Sequence, residues 1–141
     1  MKKAAIYYLS KTGITRQFGE EIKSFLELQN ISGELVNVLD YNNEDLNGVE
    51  YVFLGAWTHG LMIILQHPDK PWIEFAKQLP DLKDKKVTLF TTYKLATGSM
   101  FKKMKKHLKG KAGDELLELK SKNDQLSDLH KEHLRKFINQ N

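Results

Sequence analysis

The stretch AAIYYLSKTGIT, from Ala4 to Thr15, joins a continuous apolar run to a short turn rich in hydroxyl groups. The run ends at Leu9 and has the character of a strand that is buried on both faces of a parallel sheet. Beyond the turn, apolar residues recur at helical spacing, so that one face of a helix carries Phe18, Ile22, Phe25 and Leu26. The stretch therefore predicts a strand, a tight turn and a helix in direct succession.

The same alternation of apolar runs and helical patterns continues to the end of the chain. Further strands are predicted at residues 35–39, 51–56, 87–92 and 116–119. Helices are predicted from after Thr15 to Asn30 and at residues 71–79, 100–108 and 124–138. Strands that alternate with helices form βαβ units, which predicts an α/β fold with a parallel sheet covered by helices on both faces.

Length and composition exclude several classes of protein. A chain of 141 residues with 40% hydrophobic and 28% charged residues is expected to form one globular domain over residues 1–141. It contains no cysteine, which excludes a disulfide scaffold, a thiolate metal site and a cysteine nucleophile. The apolar runs are too short for a signal peptide or a membrane span, and we expect a cytoplasmic protein.

Charge is unevenly distributed along the chain, whose formal net charge is +4. Residues 1–82 carry 7 basic and 11 acidic side chains, whereas residues 83–141 carry 15 and 7. The densest basic cluster consists of Lys102, Lys103, Lys105, Lys106, Lys109 and Lys111. This surplus suggests an acidic partner protein. Nucleic acid is disfavoured because only Phe101 accompanies the cluster, and a solvated helix face is the simpler interpretation.

No metal site is indicated by the histidines of the chain. His107, His130 and His133 lack the spacing to acidic residues that metal ligands require. His130 and His133 lie in the last predicted helix and are interpreted as surface residues.

The turn Ser10–Thr15 is the first candidate for a binding site. It carries three hydroxyl groups and Gly13 at the predicted start of a helix. A helix N-terminus presents free N–H groups and a positive dipole end, which together bind phosphate. The alternative is purely local, with Thr12 or Thr15 as the N-cap and Gly13 as a turn residue. Neither the Walker P-loop nor the G-x-G-x-x-G pattern is present.

The chain resembles the flavodoxin family in three motifs. Ser10-x-Thr12-Gly13-x-Thr15 is similar to the family's FMN-phosphate loop, and GAWTHG at residues 55–60 is similar to its Gly-x-x-Thr-Trp-Gly loop. LKDKKVTLF at residues 82–90 resembles the family's approach to the fourth strand. The resemblance implies a three-layer αβα flavodoxin-like fold, with a five-stranded parallel sheet of order 2-1-3-4-5. It also implies FMN at the switch point between strands one and three.

Candidate FMN contacts follow from this resemblance, position by position. The phosphate group would be held by the turn, and Thr58 would hold the phosphate or the ribityl chain. Trp57 and His59 are candidates for one face of the flavin ring, and Tyr93 for stacking on it. The full set is Ser10, Lys11, Thr12, Gly13, Ile14, Thr15, Trp57, Thr58, His59, Gly60 and Tyr93.

The chain also departs from the family pattern. After the fourth strand the family usually has Gly-x-Gly-Asp and a stacking tyrosine, whereas residues 91–94 are Thr-Thr-Tyr-Lys. Tyr93 can therefore stack on a flavin or simply pack at the strand end. Lys94 would bring a positive charge near the ring and raise its reduction potential, as His59 would when protonated. The apolar segment 61–65 is interpreted as a lid, a docking patch or a buried turn.

The function that these observations favour is electron transfer by bound FMN between a reductase and an acceptor, with no catalytic side chain. Two alternatives stay open. One is a small FMN-dependent quinone or protoporphyrinogen-type oxidoreductase with its substrate over the flavin ring. The other is a binding module that keeps the fold and has lost FMN, which the missing Gly-Asp allows.

Overall fold

A computed structural model describes residues 1–58, 67–94 and 96–140. The predicted alternation of strands and helices is present from end to end. The strands are β1 (Lys2–Leu9), β2 (Ile31–Asn37), β3 (Tyr51–Trp57), β4 (Lys86–Thr92) and β5 (Leu117–Ser121). The helices are α1 (Ile14–Leu28), α2 (Lys70–Gln78), α3 (Met100–His107) and α4 (Asp128–Ile138).

The five strands form one parallel sheet in the order β2-β1-β3-β4-β5. This confirms the predicted order. The chain leaves β1 toward β2 on one side and leaves β3 toward β4 on the other, so the strand order reverses between β1 and β3. At such a switch point, a crevice opens beyond the carboxyl ends of the strands.

Helices cover both faces of the sheet, as predicted. One apolar core joins α1 and α4 to the sheet, and includes Phe18, Leu134, Ile6, Phe53 and Phe90. The other joins α2 and α3 to the opposite face, and includes Trp72, Met104, Val52, Leu54 and Leu89. The result is a three-layer αβα fold. Within the described ranges, no helix has the length and apolar character that a membrane crossing requires.

Two boundaries differ from the sequence prediction at the start of the chain. Helix α1 begins at Ile14, before Thr15, because Gly13 takes a left-handed conformation with φ of 93° and acts as the N-cap. Strand β2 begins at Ile31 and not at residue 35. Gly33 lies inside this strand, where it pairs with Ala4 of β1.

The last helix begins at Asp128, four residues later than predicted, because Ser127 caps it. The Ser127 hydroxyl accepts from the His130 amide at 3.1 Å, and the His130 ring nitrogen Nδ1 accepts from the Ser127 amide at 3.0 Å. The His130 ring also packs edge-on against Phe18, with a centroid distance of 5.4 Å. The interpretation of His130 as a plain surface residue is therefore wrong.

Two lysines of the basic cluster at 102–111 have partners within the chain. Lys111 donates to the carbonyl oxygens of Ala76 and Lys77, at 2.8 and 2.7 Å, and so caps the end of α2. Lys105 forms an ion pair with Glu118 of β5. The cluster is thus only partly a solvated helix face.

Candidate functional site

A cleft lies at the carboxyl edge of the sheet, where the connections after β1, β3, β4 and β5 meet. Its described lining consists of Lys11, Thr12, Ile14, Thr15, Trp57, Thr58, Thr92, Tyr93, Lys94, Ala96 and Lys122. Seven of the residues proposed from the sequence are in this lining. Ser10 and Gly13 belong to the same turn but are not part of the lining. His59 and Gly60, like the apolar segment 61–65, lie outside the described residues.

The turn before α1 is held by one side chain. The Gly13 amide donates to the Ser10 hydroxyl oxygen at 2.9 Å, across the turn. Since this oxygen acts as an acceptor, the Ser10 hydroxyl proton is left for another group. No side chain caps the helix at Gly13, so neither Thr12 nor Thr15 is its N-cap. The purely local alternative for these two hydroxyls does not hold.

The first turn of α1 keeps its amide groups open. The first intrahelical amide bond is from Gln17 to the Gly13 carbonyl, at 2.9 Å. The amides of Ile14, Thr15 and Arg16 have no acceptor among the described residues. A helix leaves these donors unpaired unless caps, water or a ligand satisfy them. They lie at the positive end of the helix dipole, and the arrangement favours an anion.

Paired threonine hydroxyls form the floor of the cleft. Thr15 of α1 and Thr92 of β4 have their hydroxyl oxygens 2.6 Å apart, and both side chains are buried. This bond fixes the first turn of α1 to the end of β4. Thr92 was not foreseen from the sequence, because only the sheet register brings it to α1.

A second pair fixes the direction of a hydroxyl proton. Thr91 donates to the Ala56 carbonyl at 2.6 Å, which uses the only hydroxyl proton of Thr91. The Thr58 hydroxyl, 2.8 Å from that of Thr91, must therefore donate to it. Thr58 is left with lone pairs alone to offer a ligand. It can accept from an alcohol but cannot donate to a phosphate oxygen while this bond is kept.

Two aromatic side chains, Trp57 and Tyr93, line the cleft and are half-buried. The Lys11 ammonium lies over the Trp57 ring, 4.9 Å from its centroid, which is a cation–π contact. The Tyr93 amide donates to the Ser121 carbonyl at 3.1 Å and so holds this residue at the end of β4.

The charge of the cleft is positive. Lys11, Lys94 and Lys122 are exposed at its rim, and its described lining includes neither aspartate nor glutamate. Lys122 was missed by sequence reasoning; the signal that could have found it is its place directly after the last strand of a parallel sheet. Among the described residues, no group of three His, Asp or Glu side chains is arranged to hold a metal ion.

Comparison with solved structures identifies the fold. The chain superposes on oxidised flavodoxin 2 from Bacillus cereus with a TM-score of 0.70 and 21% identity, covering 96% of this chain and 94% of that one. Two-electron reduced Megasphaera elsdenii flavodoxin superposes with a TM-score of 0.75 and 21% identity, covering 95% of this chain and 96% of that one. Rubredoxin oxygen:oxidoreductase from Desulfovibrio gigas superposes with a TM-score of 0.67 and 14% identity, covering 97% of this chain but 34% of that one.

The class that these similarities define is the flavodoxin-like α/β fold, and the resemblance noted in the sequence extends to the three-dimensional structure. No family model and no curated protein matches the sequence. At identities near 20%, similarity establishes the fold alone. The ligand and the activity must be argued from the cleft itself.

Proposed function

We propose that this protein binds FMN in the cleft and acts as an electron carrier between redox partner proteins. The observation that carries the proposal is the set of open amides at the first turn of α1, beside the Ser10–Gly13 turn and at the switch point of the sheet. This is the position at which flavodoxin-like sheets bind FMN.

The donor set fits the phosphate group of FMN. The amides of Ile14, Thr15 and Arg16 and the spare proton of Ser10 are hydrogen-bond donors that point to an acceptor-rich ligand. The exposed Thr12 hydroxyl is a further donor in the same turn. Hydrogen bonds to a charged acceptor are roughly twice as strong as neutral ones. These groups would hold the phosphate group without any acid or base chemistry.

The rest of the cleft fits the remainder of FMN. Thr58 offers lone pairs that suit the alcohol groups of a ribityl chain and not a phosphate oxygen. Trp57 and Tyr93 offer aromatic surface for a flavin ring, and their stacking on it stays a prediction. For Trp57 this requires Lys11 to leave the ring face. Bound FMN would supply the electron chemistry, and the chain would supply orientation and charge.

Positive charge at the rim would favour the reduced, anionic form of the cofactor and raise its reduction potential. The net charge of +4 also favours an acidic redox partner over a basic one. The cytoplasmic location stays a prediction.

The proposal is tested by FMN uptake and by one substitution in the turn. Thr12→Leu replaces an exposed donor by a bulky apolar group, and should abolish FMN binding at micromolar concentration while the unfolding temperature stays unchanged. Ser24→Leu makes a comparable change at an exposed position further along α1, and should leave binding intact. If the wild-type protein takes up no added FMN and stays colourless, both the electron carrier and the FMN-dependent enzyme are excluded. The remaining function is then that of a binding module that has lost FMN.

A further inference from the structure

We propose that the rim of the cleft is the docking surface for an acidic partner protein, whose carboxylates face Lys11, Lys94 and Lys122. This inference rests on the proposed electron-carrier function and extends it to the partner. It differs from the expectation drawn from the sequence, in which the basic cluster at 102–111 was the feature that suggested such a partner.

The three rim lysines come from three separate connections. They follow β1, β4 and β5, and the sheet order places the ends of these strands at one edge together with the end of β3. All three side chains are exposed. None of them has a carboxylate partner among the described residues, whereas Lys2, Lys77, Lys105 and Lys136 form ion pairs. The charge of these lysines is therefore not balanced by an ion pair within the described residues, and Lys11 is held over the Trp57 ring.

The described lining of the cleft contributes no carboxylate to this rim. The sequence between Thr58 and His67 is HGLMIILQ, which contains no acidic residue. Asp124, two residues beyond Lys122, forms no ion pair with it among the described residues and accepts a hydrogen bond from Gln125 at 3.1 Å. The acidic residues that follow β2 are not part of the described lining of the cleft; they are Asp40, Glu44 and Asp45.

The cluster at 102–111 is placed differently. The carbonyl oxygen of Lys111, the last residue of the cluster, accepts a hydrogen bond from the amide of Leu82. Leu82 lies shortly before the amino end of β4. The cluster thus runs from Lys102, in the first turn of α3, to Lys111 at the edge of the sheet opposite the cleft. A partner that docked on the far end of the cluster, at Lys109 and Lys111, would stand away from the cleft, whereas electron transfer requires the redox groups to approach closely.

Charge complementarity at the rim would steer association. Opposite charge across an interface raises the association rate and fixes orientation, and the effect weakens as salt screens it. A positive rim around an electron-transfer cleft therefore suits a partner that surrounds its own redox group with carboxylates. It disfavours a basic partner.

Docking is tested by NMR titration of the isotope-labelled, FMN-loaded protein with an acidic plant-type ferredoxin as the probe. We expect shift changes centred on the turns at 10–13, 93–94 and 122–123, and binding that weakens as salt is raised. Basic cytochrome c, used as the opposite probe, should leave these signals unchanged. Shift changes centred on α3, or none at the rim, would overturn the proposal.

A matched pair of variants separates local charge from net charge. Lys94→Glu/Lys122→Glu and Lys106→Glu/Lys109→Glu remove the same charge, the first at the rim and the second at the C-terminal end of α3. The rim variant should bind ferredoxin about tenfold or more weakly at low salt, and the α3 variant should stay within about threefold of wild type. An equal loss of ferredoxin affinity in both variants would contradict a docking surface at the rim. A wild-type protein that does not bind ferredoxin would contradict it as well.

The two proposals fail in distinguishable ways. FMN uptake is followed by the visible absorbance of the flavin and does not involve the probe protein. A protein that takes up FMN but shows no rim contact refutes the docking surface alone. A protein that takes up no FMN refutes the carrier function, and the docking surface, which rests on that function, falls with it.

Discussion

Thr92 shows how a residue in the floor of the cleft can control the site by positioning a neighbour. Its hydroxyl is paired with that of Thr15, the buried hydroxyl in the first turn of α1. The pair ties the helix that offers open amides to the central part of the sheet. Thr92 is therefore a positioning residue for the proposed phosphate site.

Replacing Thr92 by valine keeps the shape of the side chain and leaves the Thr15 hydroxyl without its partner. A buried donor or acceptor left unsatisfied costs about 1–3 kcal/mol. We expect the free energy of unfolding to fall by that amount and FMN affinity to fall with it, because the first turn of α1 is no longer fixed. Thr92→Ser, which keeps the hydroxyl, should restore affinity. Unchanged FMN affinity in the valine variant would show that this bond does not position the site.

His130 links stability to pH. Its Nδ1 accepts from the Ser127 amide, so the proton of the neutral ring is on Nε2, which donates to the Lys120 carbonyl at 2.9 Å. Burial lowers the pKa of this imidazole below its ordinary value of 6.5. The folded state thus binds the proton less readily than the unfolded chain. This contribution to stability is complete above pH 6.5 and is lost as the pH falls from there through the pKa of the folded state.

Thermal unfolding between pH 8 and 5 should therefore show a falling midpoint temperature on the acid side. His130→Gln offers an acceptor and a donor at the same position of the helix but does not titrate, and should flatten part of this dependence. His107, whose pKa burial also lowers, should account for some of the remaining slope. An identical pH dependence in wild type and variant would rule out the role given to His130.

At the scale of elements, the junction of β3 and β4 depends on one glycine. Gly55 pairs with Phe90 across the sheet, and a Cβ atom at position 55 would overlap the Phe90 ring. The ring in turn packs against Phe18 of α1, with a centroid distance of 6.0 Å. Gly55, the first residue of the GAWTHG motif, is thus required by packing in the core beneath the cleft.

Gly55→Ala should destabilise the protein by about 1–3 kcal/mol, the usual cost of overpacking a core. Gly113→Ala is the matched control, because a Cβ atom there would have no neighbour within 4 Å. Chemical denaturation measures both. A Gly55→Ala variant as stable as the control would mean that Phe90 can move aside at no cost.

At the scale of the whole molecule, the sequence was sufficient for the layers and the strand order but not for every boundary or contact. Strands β1 and β3 are buried on both faces and stand out as continuous apolar runs, and β4 stands out as a run of apolar residues and threonine. Strand β2 is less buried, and its first residues, Ile31 to Glu34, carry no such signal. The turn at Ser10 was predicted because its donors are adjacent in the chain. Thr92 and Lys122 reach the cleft only through the fold, which local patterns do not encode.

The basic residues of the whole molecule do not form the one solvated face that the 102–111 cluster suggested from the sequence. Lys111 and Lys105 of the 102–111 cluster stabilise the fold at α2 and β5. The lysines at the cleft rim form no ion pair with the described residues, and they carry the charge that a partner would meet. The net charge alone could not distinguish these roles.

The central claim is that the first turn of α1 recognises the phosphate group of FMN. The most direct test is a fluorescence titration of the wild-type protein with FMN and, separately, with riboflavin, which lacks the phosphate group. Hydrogen bonds to a charged group contribute about 1.5–3 kcal/mol each, so two or more of them predict that FMN binds at least about 100-fold more tightly than riboflavin. Equal affinity for the two flavins, or no binding of either at micromolar concentration, would contradict the account.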